Sequence, residues 1–78
     1  MSRILLLGPA RDAAGLREDV IDALTVADVL AQAVQRYGER FADVLSLSQV
    51  WVNGEKSTPQ QPVGPQDEVA VLPPISGG

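Results

Sequence analysis

Four short segments rich in apolar and β-branched residues predict β-strands, because a strand alternates its side chains between the two faces of a sheet. The third of them ends in Asn53-Gly54, the dipeptide most typical of a two-residue hairpin turn, so we expect a short return strand after it. The four segments, in chain order, cover residues 3–7, 18–22, 49–53 and 68–72.

One segment, residues 25–37, has the periodicity of an amphipathic helix. Thr25 can cap the first free amides, and Asp28 suits the positive end of the helix dipole. Gly38 follows at the position where a left-handed residue commonly ends a helix. Tyr37 is expected at the edge of the core with its hydroxyl in water. Six apolar residues fall on a single core-facing stripe: Val26, Val29, Leu30, Ala33, Val34 and Tyr37.

Two connecting segments flank these elements. Residues 41–47 resemble a short helical turn whose Phe41 closes one end of the core. Residues 8–15 contain two glycines and a proline, and we expect a loop there. Arg11 lies on this predicted loop, either as a solvated charge or as a contact to a carboxylate of a partner protein.

The order of elements predicts a two-layer α+β domain, since a single main helix can cover only one face of a sheet. Under the helix we expect Ile4, Leu6, Val50, Val52, Val69 and Val71. The opposite face, which should contact water, collects apolar residues and is therefore expected to bind another protein. The alternative is that one or two of these residues lie under loops. The residues of this face are Leu5, Leu7, Trp51, Ala70 and Leu72.

Composition narrows the possible chemistry. The chain has 78 residues, enough for one domain, with no cysteine and no histidine. It therefore lacks a thiol nucleophile, a thiolate metal site and the usual general base near neutral pH, and we expect no metal. A net charge of −4 with scattered basic residues argues against nucleic acid and favours a basic protein surface as partner. The apolar run at residues 4–7 is too short for a signal peptide or a membrane span, so we expect a cytoplasmic protein.

The last six residues differ from everything before them. We divide the chain into a domain of residues 1–72 and an extended tail of residues 73–78. The two prolines end the sheet ladder, because proline donates no backbone hydrogen bond. The terminal glycines lack side chains, so they could pass through a narrow slot towards the reactive centre of another protein, although many chain ends are simply flexible. The tail consists of Pro73, Pro74, Ile75, Ser76, Gly77 and Gly78.

The ending Asp67-Glu68-Val69-Ala70, followed by Leu72 and the tail, resembles that of the MoaD/ThiS sulfur carriers. Val52-Asn53-Gly54, Arg11 and the helix start Thr25-Val26-Ala27 are also similar to the family pattern. Among these carriers the chain is most similar to MoaD, the small subunit of molybdopterin synthase. Gln66 and Gly8-Pro9 depart from the pattern at two predicted turns. The resemblance implies a ubiquitin-like β-grasp fold with four to five strands in a mixed sheet and one main helix on one face.

The resemblance also implies a function that resides in the tail. A MoeB-like adenylating enzyme would use ATP to convert Gly78 to an acyl-adenylate, and a sulfur donor would then form the thiocarboxylate. A MoaE-like large subunit, joined in a heterotetramer, would pass the sulfur to cyclic pyranopterin monophosphate in molybdopterin synthesis. The chain would bind no cofactor of its own and would act as a non-catalytic subunit. Gly77 would give Gly78 steric access, and the contacts to partners would come from Pro73, Pro74, Ile75, Ser76, Leu5, Leu7, Trp51, Leu72 and Arg11.

Three alternatives remain open from the sequence. The chain could be a ThiS- or CysO-like carrier for thiazole or cysteine synthesis. It could be a ubiquitin-like modifier joined through Gly78 to lysines of other proteins. It could also be a non-covalent binding domain whose tail has no chemical role.

Overall fold

The computed structural model describes residues 2–73, which form a five-stranded mixed sheet with three helices. The strands lie in the order β2-β1-β5-β3-β4. This confirms the predicted α+β class and the β-grasp architecture. The elements, in chain order, are β1 (Ser2–Leu6), α1 (Pro9–Ala14), β2 (Glu18–Ile21), α2 (Val26–Tyr37), α3 (Glu39–Ser46), β3 (Gln49–Val52), β4 (Glu55–Lys56) and β5 (Glu68–Leu72).

The first and last strands lie side by side in the interior of the sheet. β1 and β5 pair in parallel, with Ile4 beside Val69 and Leu6 beside Val71. The other pairs, β1 with β2, β5 with β3 and β3 with β4, are antiparallel. β1 and β5 contain few polar residues, although the helices cover only one face of the sheet.

The main helix, α2, has the predicted ends. Thr25 Oγ1 accepts a hydrogen bond from the Asp28 amide at 3.2 Å, and the amide of Gly38 donates to Val34 O at the other end. Val26, Val29 and Ala33 are buried, so the predicted apolar stripe faces the core.

The core lies between the sheet and the helices. Of the six residues predicted to face α2, five are buried and Val50 is partly buried. Phe41 on α3 is fully buried, as expected from its segment. Its ring meets that of Tyr37 edge-to-face with centroids 5.1 Å apart. The five buried sheet residues are Ile4, Leu6, Val52, Val69 and Val71.

The predicted loop at residues 8–15 is wrong, because most of it forms helix α1. Pro9 occupies the start of this helix, where its missing amide costs nothing and its fixed φ fits. Gly15 ends it in the left-handed conformation, and Ala10 is buried in the core. Arg11 therefore projects from a helix that is itself fixed to the domain.

Two further turns marked in the sequence, at Asn53-Gly54 and at Gln66, are formed in the structure. Asn53 and Gly54 have φ of 51° and 83°, the pair of positive values that a type I′ hairpin requires, so the predicted hairpin is confirmed. Gln66 lies in an exposed turn that the Asp67 amide closes by donating to Gly64 O at 3.1 Å. The glycine usual in the family is therefore not needed for this turn.

The prediction that the Tyr37 hydroxyl lies in water is wrong. It donates to Asp19 Oδ2 on β2 at 2.7 Å. Burial and this hydrogen bond raise the pKa of Tyr37 far above its ordinary value. The same hydrogen bond is the main reason that the pKa of Asp19 lies below the ordinary value of an aspartate.

Within residues 2–73, no helix combines the length and the apolar character needed to cross a membrane.

Candidate functional site

The tail leaves the domain at the carboxyl-terminal end of β5, and we call this place the tail exit. Leu72, the last residue of β5, pairs with Gln49 of β3. On the other side, the Leu7 amide donates to Val71 O at 3.1 Å. Pro73 then passes so close to Gly8 that a Cβ on Gly8 would lie 3.5 Å from Pro73 Cγ. The first tail residue thus starts from a position set by two strands and by the loop after β1.

The predictions for Pro74, Ile75, Ser76, Gly77 and Gly78 lie outside the described residues. β5 ends at Leu72, and the division of the chain into a domain and an extended tail stays a prediction, because most of the tail lies outside the described residues.

The outward face of the sheet, which we call the open face, brings the predicted apolar residues together. The strand register places Leu5, Ala70 and Trp51 next to one another across β1, β5 and β3. All three are partly buried, and so is Leu72, whereas Leu7 is 43% exposed at the tail exit. The apolar row is therefore continuous from strand to strand.

Charged residues border this apolar row. Glu18 on β2 pairs with Leu5, and Lys56 on β4 pairs with Trp51, so the row ends in an acid on one side and a base on the other. The adjacent row holds an ion pair between Arg3 Nη2 and Glu68 Oε2 at 2.9 Å. An apolar centre inside a charged border is the usual composition of a protein–protein contact surface.

Arg11 has a neighbour that the sequence did not single out. Arg11 and Arg17 line a common hollow of about 280 Å³, together with side chains of the tail exit. The sequence does carry a signal for this arrangement: Pro9 is typical of a helix start and Gly15 of a helix end. A helix with these ends places the two arginines on either side of one short turn. The hollow is lined by Leu5, Leu6, Leu7, Arg11, Arg17 and Glu18.

The opposite end of β5 is held by side-chain hydrogen bonds. Asp67 Oδ1 accepts from Asn53 Nδ2 at 2.9 Å, and Asp67 Oδ2 accepts from the Gly64 amide at 2.8 Å. Asn53 Oδ1 in turn accepts from the Glu68 amide at 3.0 Å, and Ser2 Oγ donates to Gly64 O at 2.9 Å. The hydrogen bond from Asn53, followed by that from Gly64, holds the pKa of Asp67 below its ordinary value. We call Asp67, Asn53, Gly64 and Ser2 the β5 lock. These hydrogen bonds join Val52-Asn53-Gly54 to Asp67-Glu68-Val69-Ala70, two motifs that resemble the family pattern, at the end of β5 opposite the tail exit.

The side chains at the tail exit offer little chemistry of their own. Leu7, Leu72 and Pro73 are apolar, and the guanidinium groups of Arg11 and Arg17 are hydrogen-bond donors with no acceptor atom. Residues 2–73 also contain no group of three or more acidic side chains arranged to hold a metal ion.

Several solved structures of small proteins share this fold. SAMP1 from Haloferax volcanii is 26% identical, with 99% of this chain and 98% of that one covered and a TM-score of 0.84. The structure of the BexX/CysO complex from Amycolatopsis orientalis matches at 18% identity, full coverage of both chains and a TM-score of 0.81. The complex of subunits 1 and 2 of molybdopterin-converting factor from Helicobacter pylori matches at 20% identity, with 99% and 97% of the chains covered and a TM-score of 0.74.

No curated protein sequence gives a significant match to this chain. The model of the ThiS family, in contrast, matches residues 4–78 and so includes both the β-grasp domain and the terminal glycines. Because this match spans nearly the whole sequence, the chain belongs to the ThiS family, in a group of sulfur carriers and ubiquitin-like small modifiers.

Proposed function

We propose that this protein is the sulfur carrier of molybdopterin synthesis, with Gly78 as its reactive residue. The observation that carries the proposal is the family match, which extends to residue 78 and therefore includes Gly77-Gly78. The fold shared with a subunit of molybdopterin-converting factor supports the pathway. The protein would act in the cytoplasm, and the absence of cysteine agrees with a carrier that receives its sulfur from elsewhere.

The chemistry follows from the properties of a terminal carboxylate. With a pKa of about 3.5 it is ionised at neutral pH and is a poor electrophile. A MoeB-like enzyme joins it to the adenylyl group of ATP with release of pyrophosphate. Hydrosulfide from the donor then attacks the activated carbonyl and displaces AMP, which leaves a thiocarboxylate on Gly78. A MoaE-like subunit transfers this sulfur to cyclic pyranopterin monophosphate, and the oxygen of a water molecule restores the carboxylate of Gly78.

The residues of this chain bind and direct rather than catalyse. Gly77 lets the backbone approach closely because it has no Cβ. Pro73, Pro74, Ile75 and Ser76 direct and anchor the tail. The open face, with Leu5, Leu7, Trp51 and Leu72, docks on the partner, while Arg11 and Arg17 contact its carboxylates. This last assignment is supported by the hollow that the two arginines share with Leu7.

Sulfur loading tests the reaction. The chain is co-expressed with a MoeB-like enzyme and a sulfur donor, and its intact mass is measured. We expect the mass increase for exchange of one oxygen by sulfur, and no increase for a variant that lacks Gly78. Failure of the full chain to gain this mass with an enzyme that loads a known carrier would refute the proposal.

Binding tests the docking surface. We expect Leu5→Glu to weaken the complex with a MoaE-like subunit at least about tenfold, since it puts a charge into the centre of an apolar contact. Leu24→Glu is the matched control, because Leu24 is 78% exposed and lies outside the sheet. Equal affinity of the two variants would contradict docking through the open face. Recovery of a thiazole synthase or a cysteine synthase in place of the MoaE-like subunit would assign the carrier to another pathway.

A second candidate function, protein modification, is favoured by the 26% identity to SAMP1, a small archaeal modifier protein, over nearly the full length of both chains. In that case Gly78 would form an isopeptide bond with a lysine of a target. Covalent adducts of the chain in cell lysates that resist thiol reagents would support this function, and their absence under conditions where the thiocarboxylate accumulates would exclude it.

A further inference from the structure

Strand β2 lies at a free edge of the sheet, so half of its backbone groups point away from β1. The Leu6 amide donates to Arg17 O at 2.7 Å, whereas the Arg3 amide donates across the sheet to Asp67 O at 3.1 Å. In an antiparallel pair, hydrogen-bonded and non-hydrogen-bonded residue pairs alternate. The pair Arg3–Val20 is therefore non-hydrogen-bonded, and the N–H and C=O of Val20 point outward from the sheet.

Both outward groups of Val20 are bound by side chains. The Val20 amide donates to Oδ1 of Asp19 at 2.8 Å. Its carbonyl accepts from Nη1 of Arg36 at 2.9 Å. The backbone sites that an incoming strand would need at this residue are thus already occupied.

The two side chains that bind Val20 also hold each other. Arg36 Nη1 lies 3.0 Å from Asp19 Oδ2, which also accepts from the Tyr37 hydroxyl at 2.7 Å. Arg36 and Tyr37 belong to the last turn of α2, so the end of the main helix is fastened to the edge strand. These hydrogen bonds favour the ionised form of Asp19 and lower its pKa.

We propose that Asp19, Arg36 and Tyr37 form a clasp that closes the β2 edge against strand addition by a second copy of this chain. An exposed edge with free N–H and C=O groups is a template for pairing with another chain, and proteins protect such edges in specific ways. Val20 makes this edge attractive, since it is a β-branched residue with 44% of its surface exposed. The other edge strand, β4, has only two residues, Glu55 and Lys56, and is protected by its shortness and charge.

The test removes the clasp and measures the mass in solution. We expect the double variant Asp19→Ala/Arg36→Ala to associate, so that its weight-average mass in sedimentation equilibrium rises with concentration towards twice that of the monomer. The matched control is Asp43→Ala/Arg40→Ala, which removes the same two residue types from exposed positions on α3. Wild type and control should remain monomeric. A double variant that gives a folded amide spectrum and the monomer mass over the same concentrations overturns the proposal.

Adding Val20→Pro to the double variant locates the contact. Proline removes the outward N–H without breaking the pairing with β1, so it should restore the monomer. Association that persists in the triple variant would use a different surface and would also overturn the proposal.

A measurement on the unmodified protein needs no variant. The Val20 amide, bound to Asp19, should exchange with solvent more slowly than the Glu18 amide, which points out of the same edge. Equal exchange rates would mean that the clasp is not formed.

Discussion

The two ends of strand β5 differ in what holds them. At the Asp67 end, the β5 lock joins the strand to the β3–β4 hairpin and to the turn before it through side-chain hydrogen bonds. At the Leu72 end, the strand is joined to its neighbours through its backbone, as in the hydrogen bond from the Leu7 amide to Val71 O at 3.1 Å, and Pro73 passes beside Gly8. The two ends of one continuous segment are thus held in different ways: its first residues fix the strand through side chains, and its last residues lead into the tail.

The family motif includes Asp67, whose side chain has no place in the chemistry of the tail, because Asp67 helps to fix the strand that leads into the tail. β5 lies between β1 and β3 and is paired with both over its length. A one-residue shift of register at one end of β5 moves the other end by the same distance. It also turns every side chain of the strand to the opposite face of the sheet. The lock at Asp67 therefore determines where Pro73 emerges, several residues away.

The largest effect is expected at the tail exit from Gly8→Ala. Gly8 has φ of 59° and ψ of −130°, a conformation that residues with a Cβ rarely adopt. We expect a loss of about 1–3 kcal/mol in the free energy of unfolding, measured by urea denaturation. Gly64→Ala serves as the control, because Gly64 lacks a positive φ and its Cβ would be at ordinary contact distance. Equal losses in the two variants would show that the exit is no more constrained than the locked end.

A somewhat smaller effect is expected at the locked end from Asp67→Ala, which removes the acceptor of two hydrogen bonds. Losing these two hydrogen bonds should destabilise the fold and lower the thermal midpoint by several degrees. Sulfur loading of Gly78 should persist in the folded variant, since no group of the lock takes part in the chemistry. Asp43→Ala, at an exposed position of α3, should leave the midpoint nearly unchanged. A stable Asp67→Ala variant that cannot be loaded would contradict the division of roles between the two ends.

The smallest expected effect is a loss of folding stability at low pH. The pKa of Asp67 is lowered in the folded protein, chiefly by the Asn53 hydrogen bond, and that of Asp19 chiefly by the Tyr37 hydroxyl. A lowered pKa in the folded state gives stability that is present above the unfolded pKa and is lost as pH falls through the folded pKa. We expect unfolding in urea to become easier from about pH 5 downward. The decline should be shallower for Asp67→Ala than for wild type, and identical slopes would show that Asp67 contributes nothing to acid sensitivity.

The sequence predicted the elements whose signals are local. Thr25 and Gly38 bound a long periodic helix, and Asn53-Gly54 specifies its turn through two positive φ values. Helix α1 was missed because its six residues are too few to show a period, although Pro9 and Gly15 are typical helix ends.

The interactions that were missed join distant parts of the chain. Tyr37 and Asp19 are 18 positions apart, and their contact depends on how α2 packs over β2. The neighbourhood of Arg11 and Arg17 is local by contrast: these residues are six positions apart, and it was missed together with helix α1 and the turn after it. The open face was predictable because the period of two and the order of strands were enough to define it.

The parallel pairing of the first strand with the last has a consequence for the order of events in the cell. Arg3 and Glu68, adjacent in the sheet, are 65 positions apart in the chain. Contacts of such high sequence separation form only after a long loop has closed, and they slow folding. The sheet cannot be completed while β5 is still inside the ribosome, so the apolar row that crosses β1, β5 and β3 forms only after residues 68–72 have emerged.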